Sequence, residues 1–237
     1  MKKPILIFRH FSTEGAGYLG HFLDRHNLPH RTVRIDAGDA IPESITDIPG
    51  LVFMGGPMSV NDRLPWIPPL LHLIRSAVAA DLPVLGHCLG GQLMSKALGG
   101  TVRRNHSKEF GWLPVSTVGT DLAEKWFTGL PSRFEVFHWH GETFSIPPGA
   151  THILKSLHCR HQAFALGKCI GLQCHIEMTA EMVRRWAHDG ASEIDAAGPV
   201  MSVQRPAQMQ LRLEHRVAAL HRVADAVYTQ WIKGLRH

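Results

Sequence analysis

Cys88 lies in a stretch, Val84 to Met94, whose residue types and spacing suit nucleophilic chemistry. The apolar run Leu82 to Leu85 predicts a buried strand. Leu89 to Leu98 predicts a helix, stopped by Gly99-Gly100. Between them, Gly86-His87-Cys88-Leu89-Gly90 predicts a sharp turn, the cysteine form of a nucleophile elbow. Glycines flank the cysteine because a side chain on so tightly bent a backbone would collide with the adjacent strand or helix. The turn lifts the sulfur above the sheet and sets it at a helix N-terminus, where free N–H groups and the macrodipole favour thiolate. A buried structural cysteine on an ordinary strand-to-helix turn is the other reading of the same pattern.

A cysteine nucleophile needs a base and a group to orient that base. His175-Ile176-Glu177 closes a buried run, Lys168 to His175, that predicts a last strand. Strand periodicity puts His175 and Glu177 on one face and Ile176 on the other. Glu177 could then hold one imidazole nitrogen while the other faces a thiol. A surface ion pair has the same local sequence.

These groups need a scaffold. Ile5 to Phe8 predicts strand one, and Glu14-Gly15 opens a helix with Leu19, Phe22 and Leu23 on its apolar face. Arg31 to Ile35 and Leu51 to Met54 predict the next strands, the latter stopped by Gly55-Gly56-Pro57. A helix carrying Leu70, Leu73, Ile74, Ala77 and Val78 leads to the elbow strand. This alternation predicts an open, mostly parallel α/β sheet with helices on both faces. Sites in such sheets lie at the C-terminal ends of the strands, where Gly55-Gly56 and Cys88 both fall. After Gly100 short apolar segments separated by turns predict extra antiparallel or mixed strands. Thr179 is expected to cap a helix through Trp186, and Ala196 to Pro199 to form a linker. One final amphipathic helix is expected, with Met209, Leu213, Val217, Leu220, Ala224, Val227 and Trp231 as its stripe. Its stripe suits packing on the domain, or a dimer or partner surface. The expected division is a domain over 1–190, then a linker and helix over 191–237.

The chain has 237 residues, 44% hydrophobic and 19% charged, a balance that suits a globular domain. Its net charge of +5 is scattered, with Arg103-Arg104 and Arg184-Arg185 as isolated pairs. That argues for a solvated surface and against nucleic-acid binding. Cys88, Cys159, Cys169 and Cys174 make no disulfide framework for a chain of this length, which favours reduced thiols and the cytoplasm. No run reaches the roughly 18 apolar residues of a membrane helix. His138 with His140, and His158-Cys159-Arg160-His161, have ligand-like spacing. Cys159 adjoins His158 directly, however, and no Cys-x-x-Cys pair exists, so no metal site or cofactor is expected.

Gly86-His87-Cys88-Leu89-Gly90-Gly91-Gln92 resembles the Gly-x-Cys-x-Gly-x-Gln signature of class I glutamine amidotransferases. Gly55-Gly56-Pro57 resembles their oxyanion loop, and His138-Trp139-His140-Gly141-Glu142 their Ser-His-Gly-Asp-like segment. Gly171-Leu172-Gln173-Cys174-His175-Ile176-Glu177 is similar to their Gly-x-Gln-Phe-His-Pro-Glu. Order and spacing agree over roughly 1–190, and Glu109-Phe110-Gly111-Trp112 is similar to a segment of stand-alone proteins related to the amidotransferase domain of GMP synthase. Two positions depart: Ile176 replaces the family's proline and Cys174 its phenylalanine. Gly91 stands where a side chain is common.

The resemblance implies a flavodoxin-like fold and hydrolysis of a γ-glutamyl amide. Cys88 would be the nucleophile, His175 the base and Glu177 its orienting group. The N–H groups of Leu89 and of the Gly55-Gly56 loop would hold the oxyanion, and Gln92, Trp139 and His140 would contact the substrate. For His140 a hydrogen-bonded core role stands beside this one. The substrate is expected to be free glutamine or a γ-glutamyl compound. A separate ammonia-acceptor protein or a homodimer is the expected partner, since the residues leave no room for a synthase domain. The competing functions are a silent amidotransferase-like binding module and a general cysteine hydrolase.

Overall fold

A computed structural model of the chain describes residues 3–236. Its strands are β1 (Ile5–Arg9), β2 (His30–Arg34), β3 (Leu51–Phe53), β4 (Val84–His87), β5 (Val102–Thr117), β6 (Arg133–Phe144), β7 (Thr151–Ser156), β8 (Ala163–Leu166) and β9 (Cys169–Leu172). Its helices are α1 (Tyr18–Arg25), α2 (Ile67–Ala79), α3 (Leu89–Ala97), α4 (Asp121–Trp126), α5 (Ala180–Asp189), α6 (Ala191–Ala197), α7 (Pro206–Gln210) and α8 (Leu213–Ile232).

The strands form one sheet in the order β2-β1-β3-β4-β9-β8-β7-β5-β6. The first five in this order pair in parallel, and the rest antiparallel. The central parallel strands β3, β4 and β9 are buried throughout, as expected of strands covered on both faces. Two apolar cores flank the sheet. One contains Leu19, Phe22, Leu220, Val227 and Trp231, from α1 and α8; the other contains Leu70, Ile74, Leu89 and Leu93, from α2 and α3. Helices thus cover both faces of a sheet whose first half is parallel, as expected, and whose second half is antiparallel. Among the described residues no helix is long and apolar enough to cross a membrane.

Several boundaries differ from the sequence reading. Glu14-Gly15 does not open a helix; α1 starts at Tyr18, and residues 11–17 form a loop that reaches the site. Gly17 is at φ 51°, and its Cα abuts the Glu177 carbonyl, so no side chain fits there. Strand β9 ends at Leu172, short of His175, which makes only an isolated bridge to Phe137. The expected linker begins inside α6. The single final helix is two, because Arg212 adopts a left-handed conformation, φ 53°, between α7 and α8. Hydrophobic periodicity continues across that break and hides it.

Candidate active site

β4 and β9 are neighbours, so their C-terminal ends bring Cys88 and His175 together from distant parts of the chain. Cys88 stands between β4 and α3 with φ 48° and ψ −108°, a conformation that L-residues rarely adopt. Such strain persists only where the surroundings fix it. Here the Cys88 amide donates to the Leu172 carbonyl at 2.8 Å. The flanking glycines have steric causes. A Cβ on Gly86 would lie 2.5 Å from the Gly90 carbonyl carbon, and one on Gly90 would strike the Phe53 carbonyl. On Gly91 it would lie 2.5 Å from the Leu172 carbonyl oxygen, so at this turn a side chain would push β9 away.

His175 is held by its amide, which donates to the Phe137 carbonyl at 2.8 Å. Its Nδ1 donates to Glu177 Oε1 at 2.6 Å. The pair forms across a bend rather than along a strand. Ile176, in place of proline, packs into the core, and so does Cys174. Trp186 of α5 meets the imidazole edge-on with ring centroids 4.9 Å apart. Burial opposes charge on His175, but Glu177 and then Cys88 outweigh it and hold its pKa well above the ordinary value. Burial alone would raise the Glu177 pKa, but the His87 and His175 imidazoles pull it down to about 2.

A cleft of about 650 Å³ opens over Cys88 and is lined also by Glu14, Gly56, Gln92, Trp139 and His140. Gly55 and Gly56 follow β3. A Cβ on Gly55 would collide with the Glu14 carboxylate and lie 3.2 Å from His175 Cε1. On Gly56 it would lie 2.9 Å from Leu89 Cδ2, so the glycine loop is wedged against the start of α3. Leu89 is the first residue of α3, and its N–H has no partner within the helix. His10 props this loop by donating from Nδ1 to the Met54 carbonyl at 3.0 Å, and burial lowers its pKa to about 4.

Three residues expected at the substrate do more local work. Gln92 Nε2 donates to Gln173 Oε1 at 3.2 Å, and Gln173 Nε2 lies 3.6 Å from Cys88 Sγ. The Trp139 carbonyl lies 3.9 Å from the same sulfur, while its indole stacks on Phe110 and donates to Glu193. His140 has both ring nitrogens committed, Nδ1 to the Glu142 carbonyl and Nε2 to Glu109 Oε2, each at 2.9 Å. Both contacts hold its ring in the cleft wall.

Glu109 is buried, and its oxygens also accept from Ser156 at 2.7 Å and from Gln162 at 2.6 Å. Burial would raise its pKa, but the His140 hydrogen bond and the charges of His138 and His140 bring it to about 2. Donor atoms of Glu109, His140 and Cys159 lie within 4.8 Å of one another. Glu109 and His140 are bonded to each other, and the Cys159 thiol is engaged by the Thr143 hydroxyl at 3.1 Å.

Glu14 and His10 escaped sequence reasoning. Glu14 was assigned to a helix start, and only its place next to Gly15-Ala16-Gly17, a loop-forming run after β1, hints otherwise. Burial, opposed by His175 and reinforced by Glu177, raises the Glu14 pKa to about 7.

Fold and cleft together define an α/β protein with a strained elbow cysteine beside a carboxylate-paired histidine. The family model for the glutamine amidotransferase class-I domain matches residues 21–223, and the chain belongs to that family. It is 32% identical over 196 residues to the glutamine amidotransferase-like protein YfeJ of Salmonella typhimurium, covering 80% of this chain and 82% of that one. It is also 35% identical over 130 residues to the glutamine-hydrolysing GMP synthase of Thermomicrobium roseum, which is 54% of this chain and 23% of that enzyme. A crystal structure of a glutamine amidotransferase from Methylobacillus flagellatus superposes with a TM-score of 0.96 at 45% identity, covering 100% of this chain and 97% of that one.

Proposed function

We propose that the protein hydrolyses a γ-glutamyl amide, with Cys88 as nucleophile, His175 as general base and acid, and Glu177 orienting the imidazole. The observation that carries this is the strained elbow cysteine at φ 48° next to a histidine whose Nδ1 is 2.6 Å from a buried carboxylate. His175 takes the thiol proton, and the sulfur attacks the γ-carboxamide carbon while the carbonyl π pair moves to oxygen. The Leu89 amide and the Gly55-Gly56 loop are the candidate donors to that oxygen. The tetrahedral adduct collapses, and the leaving nitrogen departs with the proton from His175. Water, deprotonated by His175, then attacks the thioester and releases glutamate and the thiol.

The substrate reading has two branches. The family and the GMP synthase relative favour free glutamine. The cleft volume favours a larger γ-glutamyl compound, since cavities of roughly 300–1,000 Å³ hold ligands well above the size of one amino acid. Glu14 also lines this cleft, and in this reading its carboxylate takes the α-ammonium that both substrates share. With the His175–Glu177 pair already made in the lone chain, turnover is expected without a synthase partner.

The test is ammonia release from glutamine measured beside cleavage of γ-glutamyl dipeptides, for wild type and Cys88→Ser. Turnover of either substrate that Cys88→Ser abolishes supports the proposal. Turnover of neither, or turnover untouched by Cys88→Ser, overturns it.

A further inference from the structure

The loop that carries Glu177 is gripped by α8 as well as by its own neighbours. Glu177 Oε1 is committed to His175, and Oε2 is buried without a hydrogen bond. His87 Nε2 stands 3.6 Å from Oε2. The same nitrogen is 3.1 Å from the hydroxyl of Tyr228, a residue of α8. His87, Glu177 and Tyr228 are all buried. A lone pair on His87 Nε2 would face a carboxylate oxygen, so the proton belongs on Nε2, shared between the Tyr228 oxygen and the field of Oε2. Burial lowers the pKa of this imidazole, and the Glu177 charge opposes that.

A second contact from the same helix falls one residue later. His221 Nε2 donates to the Met178 carbonyl at 3.0 Å. The His221 ring stacks on Tyr18 with centroids 3.6 Å apart, and the Tyr18 amide donates to the Glu177 carbonyl at 2.8 Å. The Tyr18 hydroxyl donates to Asp225 of α8 at 2.9 Å, and Arg25 donates to both groups. Residues 177–178 are thus pinned on two consecutive carbonyls, one by His221 of α8 and one by Tyr18, on which His221 stacks, while His87, bonded to Tyr228 of α8, stands beside the Glu177 carboxylate.

We infer that α8 is a positioning element of the active site: Tyr228, through His87, holds the Glu177 carboxylate, and His221 holds the peptide that follows it. This rests on the proposed roles of Cys88, His175 and Glu177. A carboxylate free to swing lets the imidazole rotate away from the sulfur, and misplacement by about 1 Å can cost on the order of 100-fold in rate.

The test is the rate at which a glutamine-mimicking electrophile labels Cys88 in the full chain, which needs no acceptor protein. Tyr228→Phe is expected to slow labelling about tenfold in the wild-type background and less than about twofold in a Glu177→Gln background, because an effect routed through Glu177 disappears with it. His87→Leu should behave like Tyr228→Phe, while His87→Gln, which keeps a donor, should recover most of the rate. His221→Ala should show the same dependence on Glu177. Slowing that persists undiminished in the Glu177→Gln background, or Tyr228→Phe and His87→Leu rates within about twofold of wild type, overturns the inference. If Tyr228→Phe fails to fold, the two His87 variants read the same coupling. Label found on another cysteine, or a Glu177→Gln rate equal to wild type, overturns the reacting set itself and this inference with it.

Discussion

Gln92 and Gln173, 81 residues apart, share a hydrogen bond of 3.2 Å beneath the nucleophile, and Gln173 turns its amide nitrogen toward the Cys88 sulfur at 3.6 Å. The glutamine that ends the elbow motif therefore serves the sulfur through a second glutamine on the β9 side.

Cys88 is expected to be the fast-reacting thiol of the four. Burial raises the pKa of Cys159 and Cys169 to about 11 and that of Cys174 well above its ordinary value, so these three stay protonated at neutral pH. Peptide mapping after brief exposure to a glutamine-mimicking electrophile should find label on Cys88, with protection by glutamine. Early label on the other three would contradict the assignment.

Cys88→Ser and His175→Ala should each lower turnover on the order of 10³-fold or more, and Glu177→Gln by less. Combining the first two should cost little beyond either alone, because they act as one unit. Steady-state rates that multiply instead would show that the residues act separately.

Much of this arrangement was legible in the sequence, and the misses have physical causes. The elbow was readable because glycine is needed wherever Phe53, Leu172 and α3 crowd the turn. The parallel half of the sheet was readable because buried strands make unbroken apolar runs. Parts of β5 and β6 were readable as short apolar segments, but the full length of β5 was not, because polar residues such as Asn105 and His106 interrupt its periodicity at the register shift between Arg104 and Glu109. The pairing of His175 with Glu177 was anticipated for the wrong reason, strand alternation, where a bend does the work. Tyr228 carries no local signal, and Glu14 only the loop-forming run that follows it, since tertiary packing brings both to the site.

Glu14 sets a pH dependence of stability. Its folded pKa, about 7, lies above its ordinary 4.5, so the folded state binds the proton more tightly. Its contribution is full below pH 4.5 and is lost as pH rises through 7. Glu14→Gln removes that slope. Relative to wild type it should gain on the order of 1–3 kcal/mol at pH 8 and almost nothing at pH 4. Urea unfolding of both proteins across that range checks it, and a difference that stays flat with pH would refute it.

Glu109 slopes the other way. Its folded pKa is about 2 against an ordinary 4.5, so its contribution is complete above pH 4.5 and is lost as pH falls through 2. Glu109→Leu leaves His140, Ser156 and Gln162 without their acceptor and should destabilise the fold by about 3–5 kcal/mol at pH 7. Calorimetric melts matching wild type would show that the carboxylate is dispensable.

Strand β9 slots in beside β4 only after the chain has travelled out through β5–β8 and returned. During synthesis the cysteine therefore emerges long before the histidine that would activate it, and the clamp from α8 emerges last. A ribosome-bound or prematurely released chain ending before His175 carries a thiol with no proton acceptor beside it. On the mechanism proposed above, the winding order of the sheet thus withholds the reacting pair until the chain has come back to β4.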